Sequence, residues 1–198
     1  MTASVRLATK DDIAPLSASL SRAFFDDPIM AFLLGTKDLP FDKGVKFFTL
    51  MSKMQIPHEL SYVTDQCEAA AIWAPPDKWK VPPMGILKAT PGFLKVFGAR
   101  QFVSALEALN LLEKHHPKEP HYYLEFLGTD PAHQRKGFGG AVMESVLARC
   151  DAEGVGAYLE SSKDVNVPYY RHFGFEVREE ITHKNDGPKQ WLMWRDPK

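Results

Sequence analysis

The chain has 198 residues, of which 44% are hydrophobic and 25% charged, and its formal net charge is −1. This length suits one domain, which would bury roughly 70% of the surface of the unfolded chain. The near-zero net charge argues against the basic footprint of a general nucleic-acid or membrane binder. The longest apolar runs, such as residues 29–35, are too short to span a bilayer, and the first residues lack the apolar core of a signal peptide. We therefore expect a cytoplasmic protein with no nucleic-acid or membrane partner.

The first third of the chain predicts one short strand followed by helices. Residues 5–8 alternate between polar and apolar and predict a strand. Asp11 and Asp12 offer an N-cap to an amphipathic helix that ends near residue 24, and further helices are predicted from residue 29 and over residues 44–56. Four large side chains here line a substrate pocket or pack in the core, and core packing is the usual outcome. They are Phe24, Phe25, Met30 and Phe32.

The next segment predicts a hairpin. Residues 60–64 and 69–74 read as strands on either side of a turn at residues 65–68, and Pro75 ends the second strand because proline cannot donate to a sheet. Trp79 follows in a proline-bounded loop. Its ring is expected either to stack on a substrate or to lie half-buried on the surface.

Residues 84–116 predict two helical segments, with breaks at Pro91-Gly92 and at Gly98. His115 and His116 close this region just before a proline. A helix C-terminus favours a cationic imidazole, and no cysteine or carboxylate stands at ligand spacing, so no metal site is expected. Further on, the strands predicted over residues 175–178 and 189–194 end the pattern. The two cysteines, Cys67 and Cys150, are expected as buried thiols.

Residues 122–175 carry the strongest chemical pattern. An apolar run over residues 122–127 meets a turn at 128–131, and a basic glycine loop at 134–140 (QRKGFGG) opens into a helical pattern. A strand, a glycine loop and a helix start bring unpaired backbone N–H groups and the positive end of a helix dipole to one point. Glycine allows an anion to approach such a backbone closely. The stretch therefore predicts a phosphate site.

Three kinds of phosphate-binding loop could account for this stretch. The P-loop string GxxxxGK[ST] is absent from the sequence, and the GxGxxG string of dinucleotide folds fails because Val142 stands where the third glycine belongs. The string Q/R-x-x-G-x-G/A fits residues 134–139 without departure, and it is the pyrophosphate loop of the Gcn5-related N-acetyltransferases (GNAT), which this chain resembles. Four further segments resemble the puromycin N-acetyltransferase-like branch of that family: residues 116–120 (HPKEP), 128–134 (GTDPAHQ), 158–162 (YLESS) and 166–175 (NVPYYRHFGF).

The resemblance implies an α/β fold of the GNAT type. Its central sheet would be mixed, mostly antiparallel and splayed between the fourth and fifth strands, with helices on both faces. Residues 1–198 would form a single N-acetyltransferase domain, with a helical insertion at about 84–116 that covers one side of the active cleft. The helices of the first third would form one wall of the acceptor pocket, and the protein would act as a monomer or homodimer.

The resemblance also implies acetyl-CoA as co-substrate and no metal. Main-chain amides of the loop would hold the pyrophosphate, and the pantetheine arm would bond to the splayed strands like a missing strand. The N–H near Leu127 would face the oxyanion, and Gly128 would mark a bulge that splays the strands. The residues expected to bind the coenzyme are Phe126, Leu127, Gly128, Thr129, Gln134, Arg135, Lys136, Gly137, Phe138, Gly139, Gly140, Ser161 and Asn166.

Amine acetylation also needs a proton acceptor and a proton donor. An alkylammonium has a pKa of roughly 10.4, so a base or a water chain must deliver the neutral amine. Glu125 and Glu160, each in an apolar strand that would raise its pKa, are the candidate bases, and ordered water is the third. Tyr170 lies four residues before Gly174, where the family has its general acid, and a phenol with a pKa of roughly 10 can return a proton to the thiolate. Asn166 is expected to cap the helix that carries Tyr170.

Together these implications predict an acetyl-CoA-dependent N-acetyltransferase in which a primary amine attacks directly in a ternary complex. A small-molecule acceptor, such as an aminonucleoside-like, antibiotic or xenobiotic amine, is expected because the helical insertion favours a closed pocket. Two alternatives stay open. A protein or peptide N-acetyltransferase would need an open groove, and a non-catalytic acyl-CoA-binding module would not need Tyr170, Glu125 and Glu160.

Overall fold

A computed structural model describes residues 4–80, 83–184 and 186–198 of the chain. In chain order the strands and α-helices are β1 (Val5–Leu7), α1 (Ile13–Ala23), α2 (Pro28–Leu34), α3 (Phe41–Gln55), β2 (Tyr62–Thr64), β3 (Ala69–Ala74), α4 (Pro83–His115), β4 (His121–Thr129), α5 (Phe138–Glu153), β5 (Gly156–Ser161), α6 (Val167–His172), β6 (Glu176–Thr182) and β7 (Lys189–Arg195). In the described part of the chain, no helix is both long and apolar enough to cross a membrane.

The strands form one mixed seven-stranded sheet in the order β1-β2-β3-β4-β5-β7-β6. All neighbours are antiparallel except β4 and β5, which run parallel and are joined by α5. A parallel pair requires a crossover connection, and a helix is the usual one. The predicted α/β fold, with its mostly antiparallel mixed sheet, is confirmed.

The sheet opens between β4 and β5. Their register pairs His121–Leu124 with Gly156–Leu159 and stops there, although β4 continues to Thr129 and β5 to Ser161. Peptide groups on the β5 side of residues 125–129 therefore have no partner strand. This gap, which we call the splay, is the place where a ligand can supply the missing hydrogen bonds.

A β-bulge precedes the splay, but it lies at Glu125 and not at Gly128 as the sequence predicted. Ile72 of β3 pairs with Phe126 and Trp73 pairs with Leu124, so Glu125 has no partner in β3, whereas Gly128 pairs regularly with Ala70. A bulge turns two consecutive side chains towards the same face. Glu125 and Phe126 accordingly both contact α3, the first through Gln55 and the second through the aromatic rings of α3.

Gly128 has a packing role instead. A Cβ at this position would lie 2.7 Å from the side chain of Leu20 and 3.0 Å from that of Ala23. Glycine therefore lets α1 approach β4 closely, which brings the end of α1 to the splay.

Helices cover both faces of the sheet. On one face, α5 and α6 pack against apolar side chains of β3, β4 and β5, including Leu124 and Leu159. On the other, α1, α3 and the first half of α4 pack against Ile72 and Phe126, and the second half of α4 packs against β5, β7 and β6. Polar residues of β4 and β5 that point to this second face lie beneath α3 and the C-terminal end of α4.

The predicted break at Gly98 is present, with φ 76° and ψ 161°, and it divides α4 into two halves. The predicted break at Pro91-Gly92 is wrong, since both residues lie inside the helix. A Cβ at Gly92 would lie 2.7 Å from the side chain of Leu50, so close contact with α3 explains this glycine better than a turn does.

Two predicted helix caps differ in detail. Asp12 occupies the N-cap position of α1, but its carboxylate instead accepts two 2.7 Å hydrogen bonds from Arg6 and one from the amide of Thr9. Asn166 occupies the N-cap position of α6 without a side-chain capping bond. The buried thiols are confirmed, because Cys67 and Cys150 are both buried and unpaired, and burial raises the pKa of Cys67 to about 11.

Candidate active site

The glycine loop is anchored by the turn that follows β4. The amide of Asp130 donates to the carbonyl of Glu68 over 2.8 Å, and its carboxylate accepts a 2.5 Å hydrogen bond from Arg22 and a 3.1 Å bond from the amide of Ala132. Residues of α1, of the β2–β3 turn and of β4 thus hold one short turn in place. The next residues are therefore presented at a defined position beside α5.

The loop itself adopts a conformation that suits an anion. Arg135 has φ 60° and Gly137, the N-cap of α5, has φ 82°, so two left-handed residues turn the backbone sharply within three positions. The side chains of residues 134–136 are exposed. The first amides of α5 have no partner within the helix and point along its positive dipole end. Loop and helix start together form an open cradle for a phosphate group.

Gly139 keeps this cradle open on its inner side. A Cβ there would lie 3.0 Å from the Thr129 hydroxyl oxygen and 3.2 Å from that of Tyr169. A side chain would fill the space between the start of α5 and the end of β4. The residues present therefore fit a coenzyme A diphosphate, which needs close backbone approach and a basic rim.

A cavity of about 90 Å³ lies at the splay, between the cradle and the second face of the sheet. Its walls come from the end of α1 and the turn after it, from β4, from β5 with the loop that follows, and from α6. The residues lining it are Ala23, Phe24, Asp27, Leu124, Glu125, Leu127, Leu159, Glu160, Ser161, Ser162, Lys163, Asn166 and Tyr170. This volume suits the reactive ends of two substrates, since whole drug-sized ligands occupy roughly 300–1,000 Å³.

Glu125 is one of two carboxyl groups at the base of the cavity. Its Oε1 accepts a 2.6 Å hydrogen bond from Gln55 Nε2, and its Oε2 is shielded from solvent without a hydrogen-bond partner among the described residues. Burial, together with the negative charge of Glu160, raises the pKa of Glu125 to about 8. The carboxyl therefore titrates near neutral pH, where a general base works best.

Glu160 is the second carboxyl group. Its Oε2 accepts a 2.5 Å hydrogen bond from the Tyr123 hydroxyl, and its Oε1 lies 3.7 Å from His116 Nδ1. We call Glu125 and Glu160 the carboxyl pair. Like-charged groups in one buried site push their protonation states apart, which is common where a base is needed.

Acceptor atoms without donors cluster at the carboxyl pair. In the described part of the chain, Glu125 Oε2, Glu160 Oε1 and Gln55 Oε1 are buried and lack hydrogen-bond partners. Buried polar atoms are nearly always satisfied, so unpaired oxygens on two carboxyl groups that line one cavity indicate a place for a ligand with hydrogen-bond donors. An alkylammonium group, with three N–H donors and a positive charge, has the matching chemistry.

Tyr170 lies across the cavity from this pair, on α6. Burial raises the pKa of its phenol above the ordinary value, with smaller contributions from Tyr169 and Asp27. The hydroxyl therefore keeps its proton at neutral pH and can act as a proton donor towards the splay.

The outer wall of the cavity is tied across the splay. Asp27, in the turn between α1 and α2, accepts a hydrogen bond from the Ser162 hydroxyl and one of 2.9 Å from the amide of Met30. Beside it, Lys163 Nζ lies 2.6 Å from Asp26 Oδ1. We call the Asp27–Ser162 and Asp26–Lys163 contacts the clamp. They join the acceptor-side helices to the loop after β5.

Most sequence-predicted site residues converge at the splay. Glu125, Glu160, Tyr170, Leu127, Ser161 and Asn166 all line the cavity, and residues 134–140 form the cradle next to it. The side chain of Phe126 lies elsewhere, packed edge-on against Phe47 and Phe48, and that of Phe138 packs against the core under α5. Of the four large side chains considered for the pocket, Phe24 lines the cavity, Phe25 is 55% exposed, Met30 is in the core and Phe32 packs against the ring of His183.

Three contributors were not predicted. Gln55, Asp27 and His116 come from helix ends and turns far from β4 in sequence, and their local patterns are those of ordinary helix termini. The proximity of Glu125 and Glu160 could have been predicted from the sequence, because neighbouring parallel strands place residues of matching register side by side. Trp79, expected on a substrate or on the surface, stacks on His116 at a centroid distance of 3.6 Å.

A splayed mixed sheet with a glycine-loop cradle at one end and a carboxyl pair at the other is an arrangement that suits a coenzyme A-dependent acyltransferase. The sequence profile of the Acetyltransferase (GNAT) family matches residues 92–175. An uncharacterized N-acetyltransferase of Schizosaccharomyces pombe is 30% identical over 202 aligned residues, which cover 94% of this chain and 80% of that protein. The chain belongs to the GNAT family of acetyltransferases and is an N-acetyltransferase.

Solved structures share the fold. A structure from Corynebacterium glutamicum, described as a histone acetyltransferase HPA2 and related acetyltransferase, has a TM-score of 0.70 at 24% identity, covering 100% of this chain and 98% of that chain. A polyamine N-acetyltransferase of Drosophila melanogaster, which forms N-acetylagmatine, has a TM-score of 0.69 at 14% identity, with 98% and 100% coverage. Arylalkylamine N-acetyltransferase 2 of Aedes aegypti has a TM-score of 0.67 at 12% identity and covers both chains fully. At these identities the likeness shows the fold alone.

Proposed function

We propose that this N-acetyltransferase transfers the acetyl group of acetyl-CoA to the primary amine of a small molecule, of the aminonucleoside, antibiotic or xenobiotic kind. The amine attacks directly in a ternary complex, without a covalent acetyl-enzyme. Residues 1–198 act as one domain, monomeric or homodimeric, in the cytoplasm. Side chains move the protons, so the reaction as proposed needs no metal.

The observation that carries this proposal is the set of unpaired acceptors at the carboxyl pair. Glu125 and Glu160 line the cavity, and Glu125 Oε2 and Glu160 Oε1 are buried and lack hydrogen-bond partners within the described residues, as does Oε1 of Gln55, which contacts Glu125. A buried acceptor left unpaired costs about 1–3 kcal/mol, and an ammonium group entering the cavity supplies N–H donors to the carboxyl pair. An acceptor molecule without N–H or O–H donors would leave that cost in place.

The coenzyme side of the proposal rests on the cradle. Main-chain amides of residues 134–140 bind the diphosphate, with Arg135 and Lys136 on the exposed rim. Peptide groups of Phe126, Leu127, Gly128 and Thr129 that face the splay bond the pantetheine arm as a strand would, with Ser161 and Asn166 opposite. The bound coenzyme supplies a reactive acetyl thioester, and the protein orients it towards the carboxyl pair.

Two separate proton transfers take place, one on each side of the cavity. Glu125 accepts a proton from the ammonium group, because its pKa of about 8 leaves a useful fraction ionised near neutral pH. Glu160 holds a second negative charge next to it and helps bind the cation. Tyr170, whose buried phenol stays protonated, donates to the departing thiolate.

Two features support a small acceptor over a polypeptide. The clamp ties the turn between α1 and α2 to the loop after β5, so the cavity has an outer wall rather than an open groove. The four segments at residues 116–120, 128–134, 158–162 and 166–175 resemble the puromycin N-acetyltransferase-like branch. Relatives by fold that act on arylalkylamines and polyamines are compatible with such an acceptor.

Thiol release from acetyl-CoA, measured with a panel of acceptors, tests this proposal. The panel contains puromycin, tyramine, agmatine and a short peptide with one lysine and a free N-terminus. We expect at least one small amine to give kcat/KM about 100-fold above the peptide. A faster peptide would contradict the small-molecule assignment. Calorimetric binding of acetyl-CoA without thiol release for any acceptor would indicate a non-catalytic module.

A further inference from the structure

His116 lies behind the carboxyl pair in a fully enclosed position. It follows the last residue of α4 and is 8% exposed. The indole of Trp79 stacks on its ring at 3.6 Å with an interplanar angle of 23°, and the rings of Tyr123 and Tyr158 meet its edges at 5.0 Å and 4.8 Å. A polar ring held on so many sides has one orientation, so the role of each nitrogen can be derived.

The neighbouring histidine fixes one of these nitrogens. His121 Nδ1 lies 2.6 Å from the carbonyl oxygen of Glu119, and a carbonyl can only accept, so Nδ1 carries a proton. Burial lowers the pKa of His121, which keeps this ring neutral and its Nε2 unprotonated. His121 Nε2 lies 3.0 Å from His116 Nε2. His116 Nε2 must therefore be the donor of that hydrogen bond.

The remaining nitrogen of His116 faces Glu160. Nδ1 lies 3.7 Å from Glu160 Oε1, and the two side chains are 3% and 5% exposed. Glu160 Oε1 has no hydrogen-bond partner among the described residues. Without a proton between them, two lone pairs would face each other in a dry site. One proton belongs in this gap, on Nδ1 or on the carboxyl group.

The environment of the carboxyl pair favours placing this proton on His116 Nδ1. Glu160 accepts a hydrogen bond from the Tyr123 hydroxyl and also lies next to the Tyr158 phenol, so two phenol groups can stabilise its anion. Glu125 has the Gln55 amide alone, and the raised pKa of Glu125 reflects a charged Glu160 next to it. An imidazolium against an anionic carboxylate also satisfies both atoms electrostatically. A negative charge on the carboxyl pair is therefore better accommodated on Glu160.

Other titratable groups around His116 do not change this balance. Tyr158 stays protonated, since burial raises the pKa of its phenol. Lys80, beside Trp79, lies 3.0 Å from Glu113. His115 Nδ1 lies 2.9 Å from Glu179 Oε1. Lys80 and His115 therefore each have a carboxylate partner of their own.

We propose that His116 is a positioning residue that holds a proton on Nδ1 against Glu160, keeps Glu160 anionic and thereby makes Glu125 the carboxyl that accepts the proton of the amine. In that transfer the N–H bond of the ammonium group breaks, an O–H bond forms on Glu125, and the positive charge of the amine and the negative charge of Glu125 both disappear. This inference rests on the proposed function, since it assigns roles within the same site.

The pH dependence of kcat/KM tests the role of His116 in catalysis. The protein with His116→Gln is compared with wild type, using the panel amine that gives the fastest thiol release. Without the cation the negative charge on Glu160 is no longer held in place, so Glu125 loses part of the neighbouring charge that raises its pKa. The acidic limb, set by Glu125 near pH 8, should therefore move downward by about one pH unit, with the calorimetric affinity for coenzyme A unchanged. An acidic limb that stays in place would overturn the proposal.

His115→Gln is the matched control. It removes the adjacent histidine by the same substitution, and this histidine pairs with Glu179 away from the carboxyl pair. The control should keep the wild-type profile. An equal displacement of the limb in both variants would overturn the specific role of His116.

Histidine ¹⁵N chemical shifts of the wild-type protein give a second test that needs no acceptor and no variant. At pH 7.5 without any ligand, both ring nitrogens of His116 should be protonated, while His121 should carry a proton on Nδ1 alone. A neutral His116 would overturn the proposal. Because this measurement is independent of turnover, failure of the positioning role and failure of the amine-acetylation proposal can be told apart.

Discussion

Gln55 Nε2 donates a 2.6 Å hydrogen bond to Glu125 Oε1, joining the last residue of α3 to the bulge of β4. The bond fixes the orientation of the carboxyl group at the splay. The other oxygen of Glu125 is buried without a donor among the described residues, so ionisation of this group in the free enzyme has a free-energy cost. The site is therefore built for a ligand at some expense of stability.

Because ionised Glu125 is unfavourable in the folded protein, its replacement by the neutral glutamine should change the free energy of unfolding. The pKa of Glu125 in the folded protein, about 8, lies above the ordinary value of 4.5, so the folded state binds the proton more tightly than the unfolded state. Stability contributed by the protonated carboxyl is present below pH 4.5 and is lost as the pH rises through 8. We expect Glu125→Gln to raise the free energy of unfolding by about 2–4 kcal/mol at pH 8.5 and by much less at pH 5. Urea denaturation at both pH values measures this difference.

Glu107→Gln is a control for that experiment, because Glu107 is an exposed residue of α4. Its effect should lie within about 0.5 kcal/mol at both pH values. Equal stability of Glu125→Gln and wild type at pH 8.5 would show that the Glu125 carboxyl is not strained in the free enzyme.

Tyr170→Phe should lower kcat by about 10²–10³-fold while the affinity for coenzyme A stays within twofold, because the phenol acts on the leaving group and not on the cradle. Steady-state kinetics and calorimetry check the two quantities. The adjacent Tyr169, which is 40% exposed on the same helix, provides the control Tyr169→Phe, for which kcat should be nearly unchanged. Wild-type turnover of Tyr170→Phe across the pH range would remove the acid role.

Alanine variants of the two glycines that cap α5 distinguish an effect on coenzyme binding from an effect of backbone strain. Gly137 at its N-cap and Gly154 at its C-cap have φ 82° and 66°, and a Cβ at either would meet nothing within 4 Å. Alanine should therefore destabilise both proteins similarly, by about 1–2 kcal/mol. We expect Gly137→Ala to weaken coenzyme A binding at least tenfold and Gly154→Ala to leave it unchanged. Similar calorimetric affinities for the two variants would argue against the cradle as the diphosphate site.

The clamp predicts a separate effect on the acceptor. Ser162→Ala removes the hydroxyl donor from the buried carboxylate of Asp27 and loosens the outer wall of the cavity. We expect KM for the amine to rise by about 3–10-fold and the affinity for coenzyme A to stay constant. Ser145→Ala, which removes a hydroxyl of α5 bonded to the carbonyl of Ala141, is the matched control. An unchanged KM would show that the clamp does not shape the acceptor pocket.

The fold and the position of the glycine loop at the start of α5 were predictable because their signals are local. A strand, a turn and a glycine loop are consecutive in sequence, and the cradle they form depends on backbone shape rather than on distant partners. The place of Tyr170 in the cavity wall agrees with the expectation from the family resemblance, while its role as the acid stays a prediction. Even so, the bulge was assigned to Gly128, although this glycine serves the close approach of α1 and the bulge lies at Glu125.

The acceptor side was less predictable because its contacts are long-range. Gln55 and Glu125 are 70 positions apart, and the Ser162 and Asp27 pair spans 135. His116 looked like a charged helix terminus, and its burial follows from the packing of α4 and Trp79 over β4 and β5. Amphipathic patterns place a side chain on a face of a helix, but they do not tell which strand residue it meets.

The pH profile of kcat/KM for wild type and Glu125→Gln tests the central claim, that Glu125 takes the proton of a bound ammonium. For wild type we predict a tenfold fall per pH unit below about 8 and a plateau above it. For Glu125→Gln we predict a value at pH 8 that is about 10²–10³-fold lower and that keeps rising until the amine itself deprotonates, at a pH of roughly 10. Superimposable profiles for the two proteins would contradict the claim.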